Sequence, residues 1–281
     1  MANYNVHVQK SRLDVLLLER GLVTSRSRAQ AVVMAGQVRV NGQVLLKPST
    51  RVDAASTLEV ESAPRYVSRG GEKLEAALVG FDLSIQRLTC ADVGASTGGF
   101  VDCLLQHGAA RVYAIDVGKG LLDWKLRTDP RVVVLEQTNA RYLERLPEPV
   151  DLVTVDASFI SLRVLLPVVR AWLRPAFSAA GTPEDSEQTR PSAIIALIKP
   201  QFEAGRRDAA RGAGVIRDPA LHRQILLDVL DFAQTQALTA VGLLRSPLLG
   251  PKGNAEFLVW LEPAGHRPRF DLRTLVSSVL D

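Results

Sequence analysis

The stretch Leu88-Thr89-Cys90-Ala91-Asp92-Val93-Gly94-Ala95-Ser96-Thr97-Gly98-Gly99-Phe100 runs an apolar segment into an aspartate. It then passes through seven residues, Val93 to Gly99, none larger than threonine or valine. A buried strand that ends in a charge and opens into a small-residue turn brings backbone close to a neighbour, and Ser96 or Thr97 is placed to cap a following helix. Downstream the same alternation repeats. Apolar runs at Leu88–Val93, Arg111–Ile115, Arg131–Leu135, Leu152–Val155, Ala193–Ile198, Leu238–Leu244 and Phe257–Leu261 are separated by helical patterns such as Leu162–Leu173, with Pro167 inside, and His222–Ala233. That order predicts an α/β fold with a doubly wound sheet.

In such a sheet ligands bind at the carboxyl ends of the strands. Four runs end there in a residue foreign to a core: Asp92 with Gly94, Asp116, Asp156 and Lys199. Together they predict a shared site. Gly94, Gly98 and Gly99 are read as letting the loop approach a ligand. Asp116, 24 residues after Asp92, is placed to accept from ribose hydroxyls. A nicotinamide cofactor would also suit these features, but the loop lacks the full G-x-G-x-x-G spacing that seats a pyrophosphate. Lys199 and Asp156 also lie where a transferred group would sit, without the apparatus of hydride chemistry, which favours S-adenosylmethionine.

The 281 residues are 47% hydrophobic, ample for a core, and no apolar run reaches the roughly 18 residues that span a bilayer. MANYNVHVQK has neither an apolar signal core nor a transit-peptide pattern, which predicts a cytoplasmic protein without membrane insertion. Cys90 and Cys103 fall in apolar patterns and are read as reduced core residues. Charge is uneven: residues 1–60 carry eight Lys/Arg against four acids, and this +4 equals the net charge of the whole chain. A basic small segment joined to a neutral large one suggests a polyanion partner.

Within that segment, Leu13, Leu16 and Leu17 mark a helix closed by Gly21. Ser25 can cap a second, Arg26 to Met34, and Val38 to Leu45 reads as a hairpin about Asn41-Gly42. RLDVLLLERGLVTSRSRAQAVVMAGQVRVNG resembles the RNA-binding module of ribosomal protein S-four. The resemblance implies RNA contacts from Arg12, Arg26, Arg28 and Lys47. Residues 1–61 are therefore expected as this module, 62–71 (SAPRYVSRGG) as a linker carrying Arg69, and 72–281 as the catalytic domain.

Methyl transfer from a sulfonium donor is an in-line displacement, so the protein must align the acceptor and take its proton. A ribose hydroxyl needs a base or a cation for the forming oxyanion. Lys73, Asp156, Lys199 and Glu256 form a charge set suited to this, since two carboxylates let two lysines share one pocket. SRGGEKLEAAL, DVGASTGGFVDCLL, DVGKGLLDWKLR, TNAR, VDASFISL, IKPQFEAG, GVIRD and GNAEFL follow in the order seen in TlyA-type ribosomal RNA methyltransferases, which couple an S-four module to an FtsJ-like domain with a Rossmann-like class I methyltransferase sheet. The resemblance implies 2′-O-methylation of cytidine in ribosomal RNA of the large subunit, and in some members also the small. It implies the tetrad Lys73, Asp156, Lys199 and Glu256, with Lys199 as base. It further implies cofactor contacts from Asp92, Gly94, Ala95, Ser96, Thr97, Gly98, Gly99, Asp116, Val117, Asn139 and Asp156.

Residues 203–214 carry Arg206, Arg207 and Arg211 and are read as a flap that folds onto phosphates. Residues 177–192 are read as an exposed insertion. His107 is expected to satisfy the end of its helix, Trp124 to lie in the core or on a helix surface near Asp116, and Tyr66 to pack. A non-catalytic ribosome-assembly factor would show a damaged tetrad or loop, and both are intact here. A pore-former would need a spanning helix, a barrel hairpin or an export signal, and none is visible.

Overall fold

A computed structural model describes residues 10–61, 64–175, 192–205, 214–265 and 270–280. The chain divides into two compact units, Met1–Arg65 and Tyr66–Asp281.

In the first unit, β1 (Lys10–Arg12) pairs antiparallel with β4 (Arg51–Asp53), and β2 (Val38–Val40) lies between β3 (Gln43–Val44) and β5 (Leu58–Val60). The hairpin turns on Asn41 and Gly42, both left-handed (φ 51° and 80°), as a two-residue turn between twisted strands demands. Helices α1 (Leu13–Glu19) and α2 (Arg26–Met34) bury Leu13, Leu17, Ala29 and Val33. Ser25 caps α2, accepting from the Arg28 N–H at 3.2 Å. Asp14 is fully buried, against its appearance as one of the segment's surface acids. Arg12 donates to it at 2.8 and 2.9 Å, Gln30 at 3.1 Å and Arg26 at 3.3 Å. Two of the arginines read as RNA contacts therefore also neutralise a buried carboxylate. Arg28 and Lys47 are exposed.

The second unit holds a seven-stranded sheet. Strand β6 (Thr89–Val93) pairs in parallel with β7 (Arg111–Ile115) on one side and β9 (Leu152–Val155) on the other. β8 (Val132–Leu135) lies outside β7, and β10 (Ala193–Ile198) outside β9. The last strand among the described residues, β12 (Phe257–Pro263), is antiparallel to both β10 and β11 (Leu238–Arg245). The order is thus β11-β12-β10-β9-β6-β7-β8. The chain runs outward from β6 through β7 and β8 and then returns to β9 on the other side of β6, so the exit of β6 is the switch point where a crevice opens at the carboxyl edge. Strand β10 is buried throughout. Ile194, Ala196 and Ile198 face one core, and Ala193, Ile195 and Leu197 face the other, the period of two expected of a doubly covered strand. Cys90 and Cys103 are buried thiols, not disulfide-bonded, in the second core, and burial pushes the Cys90 thiol well above its usual range.

The segment Tyr66–Gly71, expected as linker, belongs to this unit. Tyr66 is buried, Val67 N–H donates to the buried Asp102 at 2.9 Å, and the helix α3 (Gly70–Gly80) begins inside the expected linker. The glycine pair serves close packing: a Cβ on Gly71 would lie 2.2 Å from the Tyr66 ring. Among the described residues no helix is long and apolar enough to cross a membrane.

Candidate active site

The loop after β6 is held tightly by protein. Gly94 (φ 85°) and Ala95 donate their N–H groups to the Ile115 carbonyl at 2.9 and 3.1 Å, and a Cβ on Gly94 would stand 2.7 Å from the Asp156 carbonyl oxygen. Gly98 adopts φ 99° and itself begins α4 (Gly99–Gln106). No side chain caps that helix, so the expected cap from Ser96 or Thr97 does not form. Gly98 and Gly99 also differ from expectation in what they approach. A Cβ on Gly98 would lie 2.2 Å from Leu126, and one on Gly99 would lie 2.4 Å from Ser68 Oγ. Their smallness seats α4 beside its neighbours, as that of Gly94 lets the loop pack against the Asp156 backbone.

Asp92 is 1% exposed. Thr154 donates to its Oδ1 at 2.7 Å, and Oδ2 has no partner. Burial first, then the negative charges of Asp156 and Asp116, push its carboxyl up to about 7. Asp116 follows β7 and accepts from the N–H groups of Ser96 (2.8 Å) and Gly118 (2.7 Å), which fix its carboxylate at the crevice. Asn139 Oδ1 accepts from the Arg141 N–H at 3.1 Å.

Two buried ion pairs complete the edge. Lys199 Nζ lies 2.6 Å from Asp156 Oδ1 and donates to Ser158 Oγ at 3.0 Å. Lys73, in the first turn of α3, lies 2.6 Å from Glu256 Oε2 just before β12. The four residues of the expected tetrad thus line one cavity of about 490 Å³. A second cavity of about 520 Å³ is lined by Asp92, Ala95, Thr97, Gly99, Ser68 and Arg69. A third of about 540 Å³ is lined by Asp116, Val117, Leu121, Asn139 and Ile160. Gly94, Ser96 and Asp156 line all three.

Residues 66–263 match the FtsJ-like methyltransferase family, and residues 11–58 match the S4 domain. The Mycobacterium tuberculosis 16S/23S rRNA (cytidine-2′-O)-methyltransferase TlyA is 43% identical over 257 residues, 90% of each chain. Hemolysin A of Brachyspira hyodysenteriae is 39% identical, over 88% of this chain and 98% of its own. The chain belongs to the TlyA family of FtsJ-like methyltransferases. A solved structure from Streptococcus thermophilus, described as a hemolysin, superposes with a TM-score of 0.68 at 39% identity over 96% of both chains.

Several residues of this TlyA-family site escaped the sequence reading. Phe159 is 90% exposed with φ 63°, and its ring lies 5.0 Å from that of Phe202, over which Lys199 Nζ sits at 5.9 Å. Glu203 accepts from Ser161 Oγ at 2.6 Å and Leu162 N–H at 2.7 Å, clamping the loop after β9 to the one after β10. Burial raises its carboxyl above the usual range. Asn254 accepts from Ile216 N–H at 2.9 Å and donates to the Gly214 carbonyl at 2.8 Å. All lie in or beside the motifs VDASFISL, IKPQFEAG and GNAEFL. An exposed phenylalanine between charged strand ends was the one signal that could have been used.

His107 Nδ1 lies 2.9 Å from the Cys103 carbonyl at the end of α4, and Trp124 is an exposed helix residue that lines none of the three cavities. Arg69 is exposed at the rim of the Asp92 cavity. Arg206, Arg207 and Arg211 lie outside the described residues, as does the insertion 177–192 apart from Ser192.

Proposed function

We propose that the protein transfers a methyl group from S-adenosylmethionine to the ribose 2′-hydroxyl of a cytidine in ribosomal RNA, in the cytoplasm and on ribosomal subunits. The observation that carries this is the convergence of three cavities at Gly94, Ser96 and Asp156, with both lysine–carboxylate pairs lining one of them. The residues fit the cofactor. Asp92 Oδ2, buried without a partner, suits an ammonium or sulfonium neighbour, and Asp116, held rigid by two N–H groups, suits ribose hydroxyls. When bound, S-adenosylmethionine supplies an electrophilic methyl group on sulfur.

The rest of the chemistry falls to the chain. Lys199, in its neutral amine form, is assigned to take the 2′-hydroxyl proton, and the ammonium so formed is the species that Asp156 and Ser158 hold in place. Lys73 and Glu256 form the opposite wall, and the two pairs leave no charge buried alone. Phe159, exposed and in a left-handed conformation at the cavity mouth, offers the flat surface on which an unstacked base rests. The S4 unit supplies RNA affinity through exposed cations such as Arg28 and Lys47.

Labelled methyl transfer to separated, unmodified ribosomal subunits tests this. Label is expected on a cytidine ribose, with at least a hundredfold loss in Lys199→Ala and unchanged cofactor binding. Cofactor binding without transfer to either subunit or to naked rRNA would defeat the proposal.

A further inference from the structure

Resting on that reading, we propose that Lys252 holds the phosphodiester on the 3′ side of the ribose being methylated. Lys252 lines the cavity that contains both ion pairs and lines neither of the other two. Lys73 and Lys199 are each matched to a carboxylate 2.6 Å away. Lys252 is exposed and has no ion pair or hydrogen bond among the described residues. The two pairs cancel, so among the described residues Lys252 leaves the acceptor cavity with an uncompensated positive charge.

Its backbone is fixed although its side chain is free. Gly250 N–H donates to the Asn254 carbonyl at 2.9 Å, and Gly253 N–H to the Gly250 carbonyl at 2.8 Å, closing a tight turn with Gly253 at φ 86°. Glu256 Oε1 lies so close to Gly250 that a Cβ there would be 2.6 Å away, and the Asn254 side chain ties the turn to Gly214 and Ile216. The turn therefore presents an exposed ammonium, unpaired among the described residues, from a hydrogen-bonded base at the rim of the cavity.

The chemistry of the acceptor says what it meets. The 2′- and 3′-oxygens of ribose are on adjacent carbons. A nucleotide whose 2′-hydroxyl sits on Lys199 therefore carries its 3′-phosphate to the same cavity's rim. A flexible point charge without planar geometry suits a phosphate oxygen. The cofactor's carboxylate is the rival anion, and the test separates the two.

Wild type, Lys252→Ala and Lys252→Arg, each as the full chain, would be compared in three measurements. These are calorimetric binding of S-adenosylmethionine, steady-state methyl transfer to ribosomal subunits, and the dependence of KM on potassium chloride between 50 and 200 mM. The alanine variant is expected to raise the RNA KM about tenfold, the scale of one charge-assisted contact, with kcat within about twofold. Cofactor affinity should stay constant. The slope of log KM against log salt should become shallower by about 0.7–0.9, as for one lost phosphate. Arginine should restore most of the KM. An unchanged KM and slope in an active alanine variant would overturn the assignment, as would a loss confined to cofactor affinity. A wild type inactive on every RNA would instead remove the underlying functional reading, and the assignment with it.

Discussion

Replacing Asp92 by asparagine separates what this residue does for the fold from what it does for the cofactor. The amide keeps the shape and can still accept from Thr154, but it cannot ionise. In the folded protein the Asp92 carboxyl is pushed up to about 7 from an ordinary 3.8, roughly three pH units at ~1.4 kcal/mol each. Between about pH 4 and 7 the folded protein therefore holds a proton that the unfolded chain has released. Stability of the cofactor-free wild type should fall as pH rises through that window and level off above it. Asp92→Asn should lack this decline, so the two proteins should be of similar stability near pH 4. At pH 8 the variant should be ahead by a few kcal/mol, with about 4 kcal/mol as the ceiling. Urea unfolding followed by tryptophan fluorescence measures it cleanly, because Trp124, Trp172 and Trp260 are the chain's three tryptophans and all lie in the second unit. At pH 8 the same variant should bind S-adenosylmethionine at least tenfold more weakly by calorimetry, since the buried oxygen that awaits a partner is gone. Stability curves that run parallel from pH 4 to 8 would refute the reasoning.

Two further outcomes follow from packing and charge. Gly98→Ala should cost about 2–3 kcal/mol in the same unfolding assay, from a left-handed residue gaining a Cβ that must push Leu126 and Leu122 aside. In the first unit, Arg12, followed by Gln30 and Arg26, holds the Asp14 carboxyl well below its usual range. The stability this gives is present at neutral pH and lost as pH falls below about 4. Amide protection factors of residues 11–60, taken relative to intrinsic exchange at each pH, should therefore fall on acidification in wild type, while Asp14→Asn should already show lower protection at pH 7.

The carboxyl edge of the sheet was readable because a parallel strand covered on both faces must be apolar throughout. A charge at its end then stands out, as at Asp92, Asp116, Asp156 and Lys199. The pairing of those charges was not readable. Lys73 and Glu256 are 183 residues apart, and only strand order brings them together. The size limit on the glycines was hidden for a related reason. Gly99 lines the Asp92 cavity, but within the protein Gly98, Gly99 and Gly71 are crowded by Leu126, Ser68 and Tyr66, partners that spacing does not reveal. Asp14 was hidden likewise, because its neutralising arginines come from the segment before it and from the next helix. Phe159 runs against the expectation that a phenylalanine is buried, and such departures concentrate where a surface has work to do.

The position of β12 bears on when this protein can first act. It fills the slot between β10 and β11, both of which are synthesised before it. A growing chain that has not reached Phe257 has an unpaired edge on β10 and leaves β11 without its only neighbour in the sheet, a stage open to wrong pairings. Glu256 immediately precedes that strand, so the Lys73 wall of the cavity cannot close before this part of the chain is made. An enzyme whose substrate is ribosomal RNA would thus be assembled without a competent site while still growing on a ribosome, and would gain one only as its sheet is completed.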